Sequence, residues 1–367
     1  MKDKIKSIIV LSLLSLIIIA VQLLRDLPLG MDPYYYLHYA GVVQPNMPPL
    51  FFHLAGLNLI LIAFAAIFSV LILTYFIFNQ LGARKPLLPT LLVAAAPGLT
   101  FRAAIFEDDL IGIPIGLGAI LLYLKGRKIE AFGLLFIGYF FAWRGTAVFA
   151  VMLALSWVAE RFKHWWVLLP ALALRFRPND LVGEEAFGLP YMPIVLLGAL
   201  LGLKAWNKVP VFVQVWAGFF LFLGLLNAKW LWLACFPLAF MLYKLYWDYP
   251  KEKLYGFIIL VVGLGIVFGS FMVYQSAPSN NQFEDMLDMK TYIGEEEFGN
   301  SWWLGHWMTY LGLNPINNNL NPNIEMGMIP TPWNTTWAVH HNCTHPMAPY
   351  ELVKNYSWAC LYRLPTP

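Results

Sequence analysis

The chain is short of charge and of cysteine. Asp, Glu, Lys and Arg make up only 12% of its 367 residues, against 59% hydrophobic, and the mean hydropathy is +0.62. A single water-soluble core does not bury that much apolar surface, so lipid is the expected solvent. The formal net charge of +3 is too small to point to nucleic acid. Three cysteines are too few for a disulfide scaffold, and no Cys-His spacing suited to zinc is present. His340, His341 and His345 cluster near Cys343 but read as a surface loop. No small-x-small cleavage site precedes Arg25, so the apolar run after Lys6 reads as an uncleaved first helix.

What the chain does have is hydrophobic runs. They fall near residues 5–24, 55–78, 86–105, 110–124, 129–142, 145–159, 165–175, 189–203, 209–226, 230–247 and 254–274. This predicts an all-α polytopic membrane bundle of about eleven transmembrane helices over residues 1–274. Placing the N-terminus in the cytoplasm puts fifteen of the 24 Lys and Arg in inner loops, the distribution that retained positive charge favours. The C-terminus is then external.

After Tyr274 the composition shifts to Asn, Pro, Trp and acids, which predicts a small external domain over 275–367. Such a domain is marginally stable on its own. A Cys343–Cys360 bridge in an oxidising compartment would contribute about 3 kcal/mol. Cys235 lies in a span and reads as packing. Three Asn-x-Ser/Thr sequons, at Asn334, Asn342 and Asn355, are usable glycan acceptors if the domain is external.

The outer loops gather acids next to helix ends: Asp32, then Glu107, Asp108 and Asp109, then Asp180, Glu184 and Glu185. Carboxylates are uncommon at a membrane interface, and solvated loop acids are the plain alternative.

Two strings carry a resemblance. Gly299-Asn300-Ser301-Trp302-Trp303-Leu304-Gly305-His306-Trp307, with Thr309-Tyr310-Leu311-Gly312 and the Asn317–Asn319 run, resembles the WWDYG region of the oligosaccharyltransferase catalytic subunit family. Met31-Asp32-Pro33-Tyr34-Tyr35-Tyr36 resembles that family's first external loop. Arg102 with Phe106-Glu107-Asp108-Asp109 looks like its second acidic motif, in a register that selects Glu107 with Asp109, or Asp109 with a shifted partner. Leu181-Val182-Gly183-Glu184 is similar to an acceptor-holding motif but lacks its Thr, and Lys229 stands where a basic donor contact is usual. The Asp of WWDYG is absent, because Trp303 is followed by Leu304-Gly305.

The resemblance implies a GT-C-type membrane glycosyltransferase that moves glycan from a polyprenyl (dolichyl) phosphate- or diphosphate-linked donor to asparagine on the external face. It implies Asp32 and Glu184 as catalytic carboxylates acting on the acceptor amide. Asp32, Glu107 and Asp109 become hard oxygen ligands for Mg²⁺ or Mn²⁺. Lys229, Arg144 and Arg102 become donor-phosphate contacts, with Lys229 a point charge rather than a bidentate fork. Trp302, Trp303 and His306 become the acceptor-binding segment. Partners would be the lipid-linked saccharide, an acceptor protein or peptide, and membrane lipid, with no nucleic acid. Two rivals remain open: a GT-C enzyme using a lipid-monophosphate sugar with a lipid or glycan acceptor, and a non-catalytic transporter or assembly protein.

Overall fold

The computed structural model describes residues 2–20, 50, 58–100, 109–162, 164, 199–202, 204–226, 228–246, 251–276, 279–300, 304–315, 335–340 and 349–365. Nine helices of these residues stand on apolar runs: α1 (Lys2–Ala20), α2 (Leu59–Gln80), α3 (Leu87–Ala94), α4 (Asp109–Leu124), α5 (Lys128–Tyr139), α6 (Trp143–Ala159), α7 (Val211–Leu226), α8 (Cys235–Tyr246) and α9 (Lys251–Ser276). Among the described residues, α2 is the one helix long and apolar enough to cross a membrane, and shorter apolar helices accompany it. The expected count of about eleven spans is therefore met only in part.

Local chemistry explains some of the shortfall. The run 86–105 is not one helix, because Ala95–Ala96 break it before Pro97, whose ring disfavours helical backbone in the residue ahead of it. Helical backbone resumes at Pro97, where the missing N–H costs nothing. The run 129–159 divides into α5 and α6 at Phe140–Ala142, with Ala142 in a non-helical conformation. The run 165–175 lies outside the described residues.

The bundle's core is aromatic. Phe78, Phe149, Trp216, Phe219, Phe220, Phe236 and Phe240 are fully buried. Phe78 stacks on Phe240 with ring centroids 5.5 Å apart, and Phe149 meets Phe220 edge-on at 5.5 Å, geometries that aromatic quadrupoles favour. Large apolar side chains also face outward: Ile5, Ile9, Leu13 and Leu16 on α1, Phe136 and Ile137 on α5, and Ile259, Leu264 and Val267 on α9.

One end of the bundle is tied together by polar contacts. The Tyr123 hydroxyl donates to Glu160 at 2.8 Å and Lys128 Nζ donates to the same carboxylate at 2.6 Å. Partial burial pushes the Glu160 carboxyl up, and these two hydrogen bonds together with the charges of Lys128 and Arg161 outweigh it, so its net shift is downward. The Tyr123 ring stacks on Phe212 at 5.8 Å. The ends of α4 and α6 thus meet the starts of α5 and α7. A short 3₁₀ turn, Ala228–Ala234, reverses the chain from α7 into α8, so α8 returns to this same end. There Lys85 N–H donates to the Tyr243 hydroxyl at 3.2 Å, and Lys244 Nζ to Gly82 O at 3.4 Å.

The C-terminal unit departs from the all-α expectation. It pairs a helix, α10 (Asn280–Ile293), with a five-stranded mixed sheet of β1 (Glu297–Asn300), β2 (Asn314–Pro315), β3 (Trp337–His340), β4 (Glu351–Tyr356) and β5 (Ala359–Arg363). The order is β2-β1-β3-β5-β4, with β1 parallel to both neighbours and β5 antiparallel to both of its own. A capping box starts α10: Ser279 Oγ accepts from Gln282 N–H at 3.2 Å and Gln282 Oε1 from Ser279 N–H at 2.7 Å. Phe283, Met286, Met289 and Ile293, at helical spacing, bury one face of α10 against Phe298, Trp307, Trp337 and Leu361.

Candidate functional site

The second end of the bundle, opposite the Glu160 network, gathers the described candidates. α4 and α6 run parallel, and their N-termini lie side by side. A Cβ built on Gly112 would sit 3.1 Å from both Ala142 Cβ and Gly145 Cα, closer than an ordinary contact, so glycine favours this approach. Asp109, the first residue of α4, is thereby brought to the same end as Trp143-Arg144 at the start of α6. Arg144 is exposed. Two packed helix N-termini concentrate unsatisfied N–H groups and partial positive charge, a setting suited to phosphate or carboxylate.

Further elements arrive at this end. Lys229 lies in the 3₁₀ turn between α7 and α8. Gly98, just past α3, packs so closely on that turn that a Cβ would fall 2.7 Å from Trp232 Cβ. The segment 95–100, which leads toward Arg102 and Glu107, is therefore held beside the Lys229 turn. α9 clamps it from another side: a Cβ on Gly265 would fall 1.8 Å from Ala95 O, and one on Gly269 would fall 2.8 Å from Pro97 O. Gly265 and Gly269 form the small-xxx-small spacing that lets helices approach in lipid. Leu50 is also held at this end, its N–H donating to Phe140 O at 3.0 Å on the α5–α6 turn.

Asp32, Arg102, Glu107, Glu184, Trp302, Trp303 and Cys343 lie outside the described residues. Of the proposed metal ligands only Asp109 has a described backbone position. Among the described residues no group of three His, Cys, Asp or Glu side chains converges. Three carboxylates are nevertheless the donor chemistry that Mg²⁺ or Mn²⁺ takes.

The described residues on either side of the tryptophan pair belong to the C-terminal unit, a strand before it and a helix after it. Strand β1 ends at the fully buried Asn300, and α11 (Gly305–Tyr310) begins two residues after Trp303, with His306 in its first turn. Leu304, the residue after the tryptophan pair, is fully buried in the core of this unit. Gly312, at φ +73°, closes α11: its N–H bonds Thr309 O at 2.9 Å and Leu313 N–H bonds Met308 O at 3.0 Å. Lys290 Nζ donates to Leu311 O at 2.6 Å, placing a cation on the last carbonyls of α11.

Sequence reasoning did not find the braces of this unit. Asp288 accepts from Lys354 at 2.8 Å and from the Tyr356 hydroxyl, and Asp285 accepts from Trp358 Nε1 at 2.8 Å, fixing α10 to β4 and its turn. The hydrogen bonds from Lys354 and Tyr356 hold the Asp288 carboxyl below its ordinary range. Burial and the bond to Asp288 push the Tyr356 phenol up. Acids at the i and i+3 positions of α10 were a visible signal, but their partners lie more than sixty residues away in sequence. Cys360 is disulfide-bonded and Cys235 is a free thiol.

No protein-family model matches the chain, and no curated protein matches it at a significant level.

Proposed function

We propose that the chain is an integral, multi-pass membrane glycosyltransferase that moves a glycan from a polyprenyl phosphate- or diphosphate-linked donor to asparagine on the external face. The observation that carries this reading is the gathering of Asp109, Arg144 and the Lys229 turn at one end of the bundle, opposite an end rich in Lys and Arg. That segregation is what retained cytoplasmic charge would produce, with the N-terminus inside and the C-terminal unit outside. The outward apolar faces of α1, α5 and α9 suit lipid contact and would be costly in water.

The chemistry divides between the two barriers of the reaction. An amide nitrogen is a poor nucleophile, and Asp32 and Glu184 are assigned to hold its N–H groups and accept the released proton. The leaving phosphate is anionic, and Arg102, Arg144 and Lys229 with the N-termini of α4 and α6 are assigned to bind it. Asp32, Glu107 and Asp109 would hold a divalent cation, which supplies charge neutralisation at that phosphate. Trp302, Trp303 and His306 are assigned to the acceptor peptide.

The rival with a specific observation behind it is a GT-C enzyme that uses a lipid-monophosphate sugar and a lipid or glycan acceptor. Where the resembling family has an Asp that reads the sequon hydroxyl, this chain has the buried Leu304. A cell-free assay with lipid-linked oligosaccharide, offering a sequon peptide and lipid acceptors separately, decides between them. Asp32→Ala is expected to lower transfer by about 10²–10³-fold, as loss of a group stabilising transition-state charge does. Full activity in that variant would remove the mechanism.

A further inference from the structure

The sequon Asn355-Tyr356-Ser357 is on the edge of the C-terminal sheet, because β4 ends the strand order and its outer side pairs with no described strand. Two side chains anchor this end of the β4–β5 hairpin to α10. Tyr356 is buried with its hydroxyl on Asp288, and Trp358 donates its indole N–H to Asp285 at 2.8 Å. Asn355, the neighbouring residue of β4, and Ser357, in the two-residue turn that leads to β5, are exposed. Neither of their side chains makes a hydrogen bond among the described residues. A sequon acceptor needs this arrangement: a free amide nitrogen, and a hydroxyl two residues on that can be read from the same side. Among the described residues no element covers the edge beside it. Leu352 and Val353 are exposed, and only the register shift between Leu352 and Lys354 interrupts β4.

We propose that Asn355 is itself a glycan acceptor, modified by this chain's own activity; the proposal rests on the transfer function above. In the step, Asn355 Nδ2 bonds to the anomeric carbon of the lipid-linked glycan. The bond from that carbon to the phosphate oxygen breaks, and the lipid phosphate or diphosphate leaves with the electron pair. The amide proton passes to a carboxylate and then to water. The hydrated glycan then covers the open edge of β4.

The test uses the full chain produced in a host lacking N-glycosylation and reconstituted with lipid-linked oligosaccharide and Mg²⁺, with a sequon peptide added in a parallel reaction. After reduction, trypsin cleaves at Lys354 and Arg363, and the 355–363 peptide is weighed by mass spectrometry. The expected result is the mass of one glycan on that peptide, lost in Asn355→Gln and Ser357→Ala, and lost together with peptide glycosylation in Asp32→Ala. A bare 355–363 peptide beside a glycosylated sequon peptide overturns the proposal and leaves the transfer function standing. If neither is glycosylated, both readings fall.

Discussion

Replacing Gly265 with Ala puts a methyl carbon 1.8 Å from the carbonyl oxygen of Ala95. Non-bonded heavy atoms settle at about 3.5–4.0 Å, so the two segments must separate by well over an ångström. The obstacle is backbone rather than a flexible side chain, which puts the overpacking cost near the upper end of its usual range, about 3 kcal/mol. Ala is the better helix former by about 1 kcal/mol, leaving a net loss of about 2 kcal/mol. Gly263 supplies the control, because it lies on the same helix with nothing within 4 Å of its added Cβ. Gly263→Ala keeps only the propensity gain. Thermal unfolding in detergent, followed by tryptophan fluorescence, is expected to show Gly265→Ala melting about 4–8 °C below wild type and Gly263→Ala slightly above it. The displaced segment leads toward Arg102 and Glu107, so glycosyl transfer is expected to fall in Gly265→Ala alone. Equal shifts of the same sign in the two variants would refute the close α9 contact.

Non-reducing peptide mapping is expected to recover Cys343 linked to Cys360, and Cys360→Ser should lower the stability of the C-terminal unit by about 3 kcal/mol. Tyr356→Phe removes the hydroxyl that donates to Asp288 and should cost about 1 kcal/mol in denaturant unfolding. Because the Asp288 carboxyl is held below its ordinary range, the unfolded chain binds the proton more readily. Its stabilising contribution is present above the ordinary carboxylate range and disappears as pH falls through the depressed folded value. The stability gap between wild type and Asp288→Asn should therefore close on acidification below about pH 4, and a gap that stays constant with pH would contradict the assignment.

Hydropathy located the helices because each needs an apolar face over several turns, and α1, α2, α4, α6, α7 and α9 all lie on runs read from sequence. It misjudged 86–105, where composition stays apolar across the Pro97 break and only backbone geometry interrupts the helix. The sheet was hidden for a different reason. Strands of two to six residues separated by Asn- and Pro-rich stretches are too short for alternation to register. In the candidate site, the shared end of Asp109, Arg144 and Lys229 was legible from loop alternation alone. The glycine contacts that press segment 95–100 between the Lys229 turn and α9 were not, since a glycine in a sequence does not announce what it touches. The same holds for Lys290 on Leu311 and for Asp288 on Lys354, which join residues that only the folded C-terminal unit brings together.

If the chain transfers glycan as proposed, the burial of Leu304 limits how a point mutation could alter its acceptor. A single substitution to Asp would put a carboxylate among Met308, Trp307 and Phe298, where an unpaired charge costs several kcal/mol or is neutralised by protonation. Recovering an acid at this position that faces solvent would require an inserted residue or a turn of α11, and Gly312 and Lys290 hold the far end of that helix in place. On the proposed transfer function, the acceptor would be set by the core packing of a small domain, and insertion or deletion would change it more readily than point mutation.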